Sequence, residues 1–525
     1  MIAAPLLTGM FGLYLGQDAN WDLRNYHWYN AYALVNGRFG FDLLPSQLPY
    51  FYNPALDVPF FLLASHLPAR IAGFILAAVQ GLNFMLLFML SYAALIIPRP
   101  RQKVLLCTLL AAVGMFGAGG IAQIGTTFYD NITSLGVFLS ILLTLRLYPL
   151  LVYTDWKRSL GLAILCGFPA GLMMGLKLPA VIFCIGLCGA LLFTAGSLQR
   201  RVWISFGFGI GVLLGLTLSL GPWAYHLYTQ YGNPLFPYFN NIFQSSLAPI
   251  ASARDVTFLP ENWFDRLLFP FIFSKNPFSV GEIPWRDLRL PLWYFLLPAC
   301  LALRGVFRCA KNPIKPITAP VPTRYLLWAA GLSYVAWIFL FAIYRYIISL
   351  EMLAPLLIVM TLGLLPLRTP IRAALASLVM GTVLITLQPG NWGRAPQWLD
   401  RTVSIDRPEL EGSANLMMLM AGFEPYSHVI TEFPPHIPFI RIQSNFTSPE
   451  NGMGINQRIK DRVNKHTGPY KILIPKDQLL TGSAALQYFD LTLSPKTCRP
   501  VQDHLFDADL ALCDVQPTHN LAVTP

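Results

Sequence analysis

Apolar residues in this chain come in long unbroken runs, not in the alternation of a half-buried strand or the stripe of a surface helix. Eleven runs stand out, at about 2–17, 71–97, 104–124, 132–150, 159–176, 178–196, 202–221, 290–304, 325–343, 347–366 and 372–388. Each approaches the roughly 20 residues a helix needs to cross about 30 Å of hydrocarbon. The pattern predicts an all-α polytopic membrane bundle of about eleven transmembrane helices. The first run has no basic residue before it and no small-residue cleavage site after it. A secretory signal peptide carries both, so the run is read as a retained helix.

The polar connections are uneven. Three are long, at about 18–70, 222–289 and 389–525, and all three fall on one side. In the first, NYHWYNAYALVNG has helical spacing and ends at Gly37, a residue suited to a helix C-terminus. PALDVPFFLLASHL is apolar but broken by Pro54 and Pro59, and too short to span. Both predict helices lying in the membrane interface, the depth that suits Trp21, Trp28 and the tyrosines. The last connection reads differently. HVIT, YKILIP, LTL and LALCDV suggest short strands, and 409–422 and 478–488 suggest helices. The expected organisation is a transmembrane module over 1–390 followed by a small soluble α/β domain over 391–525.

Charge placement gives the topology. Only 12% of residues are charged, against about a quarter in soluble domains. Alternate connections hold RPRQK (99–103), Lys157 and Arg158, Arg200 and Arg201, the loop from Arg304 to Arg324, and Arg368 with Arg372. Together they carry fourteen basic residues and one acid, Asp155. Basic loops face the cytoplasm. The N-terminus is therefore expected inside and the tail outside, periplasmic in a bacterial inner membrane. The net charge of +11 is then mostly a topology signal, and nothing points to nucleic acid. Cys498 and Cys513 alone fall in the tail, where an oxidising compartment would let them pair.

A chain this poor in charge clusters acids and aromatics in GQDANWDLRNYHWYNAYALVNGRFGFDLLP. On a continuous helix Asp18 and Asp22 would share one face about 6 Å apart. Like charges that close raise one pKa, as a general base or metal site requires. Helix capping is the alternative for both. Asp42 is a third candidate, with a turn or cap as its alternative. His27 stands among Tyr26, Trp28 and Tyr29. No second histidine stands at zinc spacing, while a carboxylate-bound Mg²⁺ or Ca²⁺ stays open. Lys177 in MMGLKLPA and Arg345 with Tyr346 in FAIYRYIISLEML lie at the outer ends of predicted spans, where ionisable residues are functional candidates. Glu351, about a turn deeper, is a structural candidate and a salt-bridge partner for Arg345. Asn-Pro occurs in FYNPALD, YGNPLFPYFN and SKNPFS. It favours turns, although the second stretch is aromatic enough to line a sugar or lipid groove. GAGG at 117–120 reads as close helix packing. No phosphate-binding glycine loop, nucleophile elbow or dinucleotide fingerprint occurs.

These stretches carry a resemblance. GQDANWDLRNYHWYNAYALVNGR, FYDN at 128–131, GLKLPA, YGNPLFPYFN and YRYIISLEMLAPLL resemble, in that order over about residues 1–390, bacterial members of the GT-C superfamily of integral-membrane glycosyltransferases. The acids here are spaced where many members have them adjacent, which argues against a close match to the protein mannosyltransferases. The resemblance implies a polyprenyl-phosphate sugar as donor and a glycan, lipid or protein as acceptor. Asp22 would be the general base. Asp18 or Asp42 would orient it or help bind a metal. Lys177 and Arg345 would stabilise charge on the leaving phosphate. Tyr26, Trp28 and Tyr29 would stack on sugars, with His27 and Tyr346 beside the substrate. Two enzyme alternatives are a polymerase and a ligase of lipid-linked glycans, whose functional loop usually comes later. A transporter or flippase would want polar residues spread along matched, broken helices. A silent scaffold is the remaining alternative.

Overall fold

The computed structural model describes residues 3–306, 316–395, 397–410, 413–506 and 508–518. It divides into two compact units. The first holds the chain up to Tyr14 with Phe74–Gly221 and Asp255–Trp392, and the second holds Leu15–Gly73, Pro222–Arg254 and the chain from Gly393 onward.

Six described helices are long and apolar enough to cross a membrane: Ala69–Ala94, Asp130–Tyr153, Trp156–Leu176, Leu198–Tyr231, Tyr344–Gly363 and Thr369–Thr386. Six of the eleven predicted runs fall on them. The run at 2–17 covers a 13-residue helix, Ala3–Leu15, which rises only about 20 Å at 1.5 Å per residue. The run at 104–124 divides into Pro100–Met115 and Ala118–Ala122. The runs at 178–196, 290–304 and 325–343 fall on Leu178–Phe193, Arg289–Val306 and Pro320–Leu340.

Within the first unit, Tyr344–Gly363 is the central helix, with 89% of its apolar stretch buried, whereas Thr369–Thr386 has 11% and presents its side chains outward. Backbones approach closely through small residues. A Cβ at Gly167 or Gly171 would meet the backbone of Phe208 or Val212, and one at Gly211 or Gly215 would meet that of Ile164 or of Phe168 and Leu172. These are reciprocal glycines four apart, a spacing that lets membrane helices pack backbone to backbone. GAGG packs closely, as expected: a Cβ at Gly117 would meet Glu351 and one at Gly119 would meet Ile348, both on the central helix. The break after Phe116 exposes backbone amides, and buried carboxylates accept them: Asp287 from Ala118 at 3.0 Å, and Glu351 from Gly119 at 3.1 Å and Gly120 at 2.8 Å. Arg289 Nε donates to Asp287 at 2.9 Å. Glu351 is thus a structural residue that holds a helix start.

The second unit is built around a sheet. Its strands are β1 (Gln17–Asp18), β2 (Arg394–Ala395), β3 (Ile405–Asp406), β4 (Met417–Met420), β5 (Phe439–Arg441), β6 (Tyr470–Pro475), β7 (Leu491–Leu493), β8 (Arg499–Asp503) and β9 (Ala508–Pro517). β1 and β2 form an antiparallel pair. The other seven make one mixed sheet in the order β3-β8-β9-β6-β4-β5, with β7 also on β9. The edge at β5 is covered, because Leu43 accepts from Arg441 N and donates to Phe439 O, both at 3.0 Å. Capping an edge in this way removes a site for unwanted strand pairing. The expected tail domain therefore shares its unit with two earlier chain segments. Cys498 and Cys513 are disulfide-bonded, as expected. YKILIP, LTL and LALCDV lie in strands, and 478–488 overlaps the helix Leu479–Gln487. HVIT lies instead in a 3₁₀ segment, Ser427–Glu432, and 409–422 contains the strand β4.

Candidate functional site

In the second unit the chain turns immediately after β1. Asn20 caps the turn, its Oδ1 accepting from Leu23 N at 2.8 Å. Asp18 is used differently from either expectation. It lies in β1 and accepts from the side chain of Asn20 at 2.6 Å and its backbone amide at 3.2 Å. Asp18 and Asp22 therefore do not share a helix face, because the helix starts only after Asn20. Leu23–His27 is a π-turn, a wide i→i+5 geometry that recurs at functional sites. Half-buried Asp22 directly precedes it, and Tyr26 and His27 end it.

The π-turn presents backbone carbonyls sideways, and the tail supplies donors for them. Ser427 Oγ donates to Asn25 O, and His428 Nδ1 donates to Arg24 O at 3.0 Å. His428 Nε2 meets Asp503 Oδ2 at 2.8 Å. Both ring nitrogens face hydrogen-bond acceptors. Burial alone would raise the Asp503 pKa. The His428 ring, the Leu505 amide and Arg24 outweigh it and hold the carboxyl below its usual value.

His27 Nδ1 lies 2.7 Å from Asp57 Oδ1. An ionised carboxylate only accepts, so Nδ1 carries the proton and Asp57 fixes the ring's orientation. Tyr26 packs on His27 at 4.0 Å between ring centroids and edge-on to Tyr52 at 5.3 Å. The Tyr52 and Tyr238 hydroxyls are 2.8 Å apart. Two of the Asn-Pro stretches, FYNPALD and YGNPLFPYFN, thus meet here. The asparagines themselves are turn residues: Asn53, Asn233 and Asn276 each accept from the amide two residues on. Asp57 was not singled out from the sequence. Its only signal was its place beside an Asn-Pro turn.

Three expected site residues are part of the framework. Asp42 is fully buried and accepts four hydrogen bonds: from Tyr29 OH at 2.7 Å, Arg38 Nε at 2.6 Å, Arg38 Nη2 at 2.8 Å and Phe439 N at 2.8 Å. Burial raises its pKa, and the Arg38 guanidinium only partly offsets this. No lone pair is left to take a proton from a substrate. Tyr29 is fully buried by the same bond. Trp28 is buried edge-on against Phe61 and donates its Nε1 proton to Thr431 Oγ1 at 3.1 Å. Neither ring offers a face to a sugar.

In the first unit, FYDN, GLKLPA and YRY come together. Tyr129 takes a left-handed conformation (φ 61°) and starts the helix at Asp130. Lys177 Nζ reaches the Phe128 carbonyl and lies 2.6 Å from Asp130 Oδ1. Arg345 stacks over the Phe128 ring at 4.2 Å, and Lys177 lies 5.7 Å over Tyr346. With Asp130 ionised, the group carries one net positive charge. Asp130 was not expected to pair Lys177, although FYDN marked the stretch. Arg345 does not use Glu351, whose carboxylate serves the glycine amides. Among the described residues no three His, Cys, Asp or Glu side chains gather as ligands for Mg²⁺ or Ca²⁺.

No family model matches this chain, and no curated protein matches it by sequence. Among solved structures, the archaeal oligosaccharyltransferase AglB from Archaeoglobus fulgidus, in complex with an inhibitory peptide and a dolichol-phosphate, is similar. The match covers 93% of this chain and 70% of that one, at 12% identity and a TM-score of 0.42. That score lies below the level at which a shared fold follows.

Proposed function

We propose that this chain is a membrane glycosyltransferase of the GT-C type, with about eleven spans. It would transfer a sugar from a polyprenyl-phosphate donor to a glycan, lipid or protein acceptor on the outer face of a bacterial inner membrane. The observation that carries the reading is the meeting of FYDN, GLKLPA and YRY. Three stretches far apart in sequence, each noted before as resembling GT-C stretches, bring Lys177, Asp130, Arg345 and Tyr346 into one group. An amine fixed by a carboxylate beside a guanidinium stacked on an aromatic ring is a preorganised cationic group. It suits charge that develops on a leaving phosphate. The inverting step assigned to this chemistry has the acceptor hydroxyl attack the anomeric carbon as polyprenyl phosphate leaves.

The base is assigned to Asp22. Asp42 has no acceptor capacity left, and Asp18 is buried and engaged with Asn20. His27, oriented by Asp57, and Tyr26 are assigned to the acceptor side. The disulfide in the tail fits an oxidising compartment.

The test is transfer of radiolabelled sugar from polyprenyl-phosphate donors to a membrane extract. The purified, folded wild type is compared with Asp22→Asn and Arg345→Ala. Loss of a general base costs about 10²–10⁴-fold, so Asp22→Asn is expected to lose at least a hundredfold in rate. Undiminished transfer by this variant refutes the assignment of the base. Undiminished transfer by Arg345→Ala refutes the role of the cationic group.

A further inference from the structure

We propose that the second unit carries a binding site for the phosphate of an anionic phospholipid headgroup, separate from the residues assigned to sugar transfer. The site is a groove of about 440 Å³. Its floor is apolar and aromatic, with Phe39, Leu43 and Tyr231. Its rim holds His226, Arg458, Arg462 and Lys465. Among the described residues, none of the three cations Arg458, Arg462 and Lys465 has a carboxylate within ion-pair distance. The single acid on the rim, Asp461, accepts a hydrogen bond from Gln457 at 2.7 Å. Arg458 is preorganised: its Nη2 donates to Gln230 O at 3.3 Å and its guanidinium lies 5.4 Å over the Tyr231 ring. Arg462 and Lys465 are exposed and stand ready for an anion.

The position along the chain selects the ligand's source. His226, Gln230 and Tyr231 end the helix Leu198–Tyr231, whose apolar run stops near Gly221. At 1.5 Å per residue they lie about 8–15 Å past that run. The headgroup layer adds about 5–8 Å to each side of the hydrocarbon, so His226 stands at its outer edge and Gln230 and Tyr231 lie just beyond it, within reach of lipid phosphates for long Arg and Lys side chains. Tyr225 and Tyr228, 71% and 58% exposed on the same helix end, are residues of the membrane interface. His226 stacks on Trp223 at 4.9 Å, which fixes it at the groove mouth. A cationic rim at the outer edge of the headgroup layer, over an aromatic floor, fits the phosphate of an anionic headgroup. The inference depends on membrane embedding and not on sugar transfer.

The full-length protein is reconstituted in nanodiscs of phosphatidylcholine with or without phosphatidylglycerol, and retained lipid is measured by native mass spectrometry after transfer to detergent. The wild type is expected to keep phosphatidylglycerol selectively. Each cation near a lipid surface contributes about a factor of five, so Arg462→Gln/Lys465→Gln should lower that selectivity roughly thirtyfold. The control Lys476→Gln, an exposed charge elsewhere in the tail, should leave it unchanged. Wild-type selectivity in the double variant overturns the proposal. So does displacement by soluble glycerol phosphate, which would make the ligand a free phosphate. Displacement by polyprenyl phosphate at equal amount also overturns it, because the groove would then belong to the reaction's own lipid.

Discussion

Asp42 offers the sharpest test of what holds the second unit together. The substitution Asp42→Asn keeps the shape and removes the charge. Oδ1 accepts from Arg38 Nη2 and Phe439 N, and Oδ2 accepts from Tyr29 OH and Arg38 Nε. Whichever oxygen becomes an amide nitrogen, two donors face it. Tyr29 can rotate its proton away, so the less costly choice places nitrogen at Oδ2. Arg38 Nε still loses its acceptor and the guanidinium its counter-charge. Arg38 is 5% exposed and Asp42 fully buried at the side chain, so solvent does not compensate. Breaking a buried pair on one side costs about 3–5 kcal/mol. At about 2–4 °C per kcal/mol for a unit of this size, the thermal midpoint of the purified protein should fall by on the order of 10 °C. Differential scanning fluorimetry in detergent reads this. Replacing both partners, as Arg38→Met/Asp42→Leu, should recover much of the loss, because no buried charge is left unpaired. A midpoint within about 2 °C of wild type would sink the reasoning, as would a stable Asp42→Asn protein that has lost only its activity.

Two further outcomes follow from the same structure. The Asp503 carboxyl is held below its usual pKa. The stability it gives is therefore complete above the unfolded value of about 3.9 and is lost as pH falls through the folded value. Acid titration of stability should show this loss below about pH 4 in the wild type and a flatter limb in Asp503→Asn, and identical limbs would refute it. A Cβ at Gly117 would press on the Glu351 carboxylate, which the Gly119 and Gly120 amides hold in place. Gly117→Ala should lower stability by about 1–3 kcal/mol, and a midpoint equal to wild type would show that Glu351 is free to move.

The sequence disclosed what rests on local periodicity. The long apolar runs became helices, Gly37 follows the end of the helix Trp28–Val35 with φ +64°, and the two tail cysteines paired. Lys177, Arg345 and Tyr346 did assemble. What failed depended on partners distant in the chain. Asp42, Trp28 and Tyr29 looked like exposed site chemistry because their partners, Phe439 and Thr431, come some four hundred residues later or, for Arg38, were not weighed. The four apolar residues of β4 looked helical, since a strand buried on both faces has no alternation to read. The Asp18–Asp22 spacing misled because Asn20, between them, is the better cap.

The order of synthesis adds a consequence. The Asp42 carboxylate and the amide of Phe439 that it accepts are 397 residues apart. A ribosome adding about 5–20 residues per second needs roughly 20–80 s to make that partner. For that interval the segment around Asp42 has left the ribosome with its buried-to-be charges solvated and the π-turn carbonyls unclaimed. The segment must wait for its partners, and any chain released before β5 is made lacks the amide that completes the surroundings of Asp42.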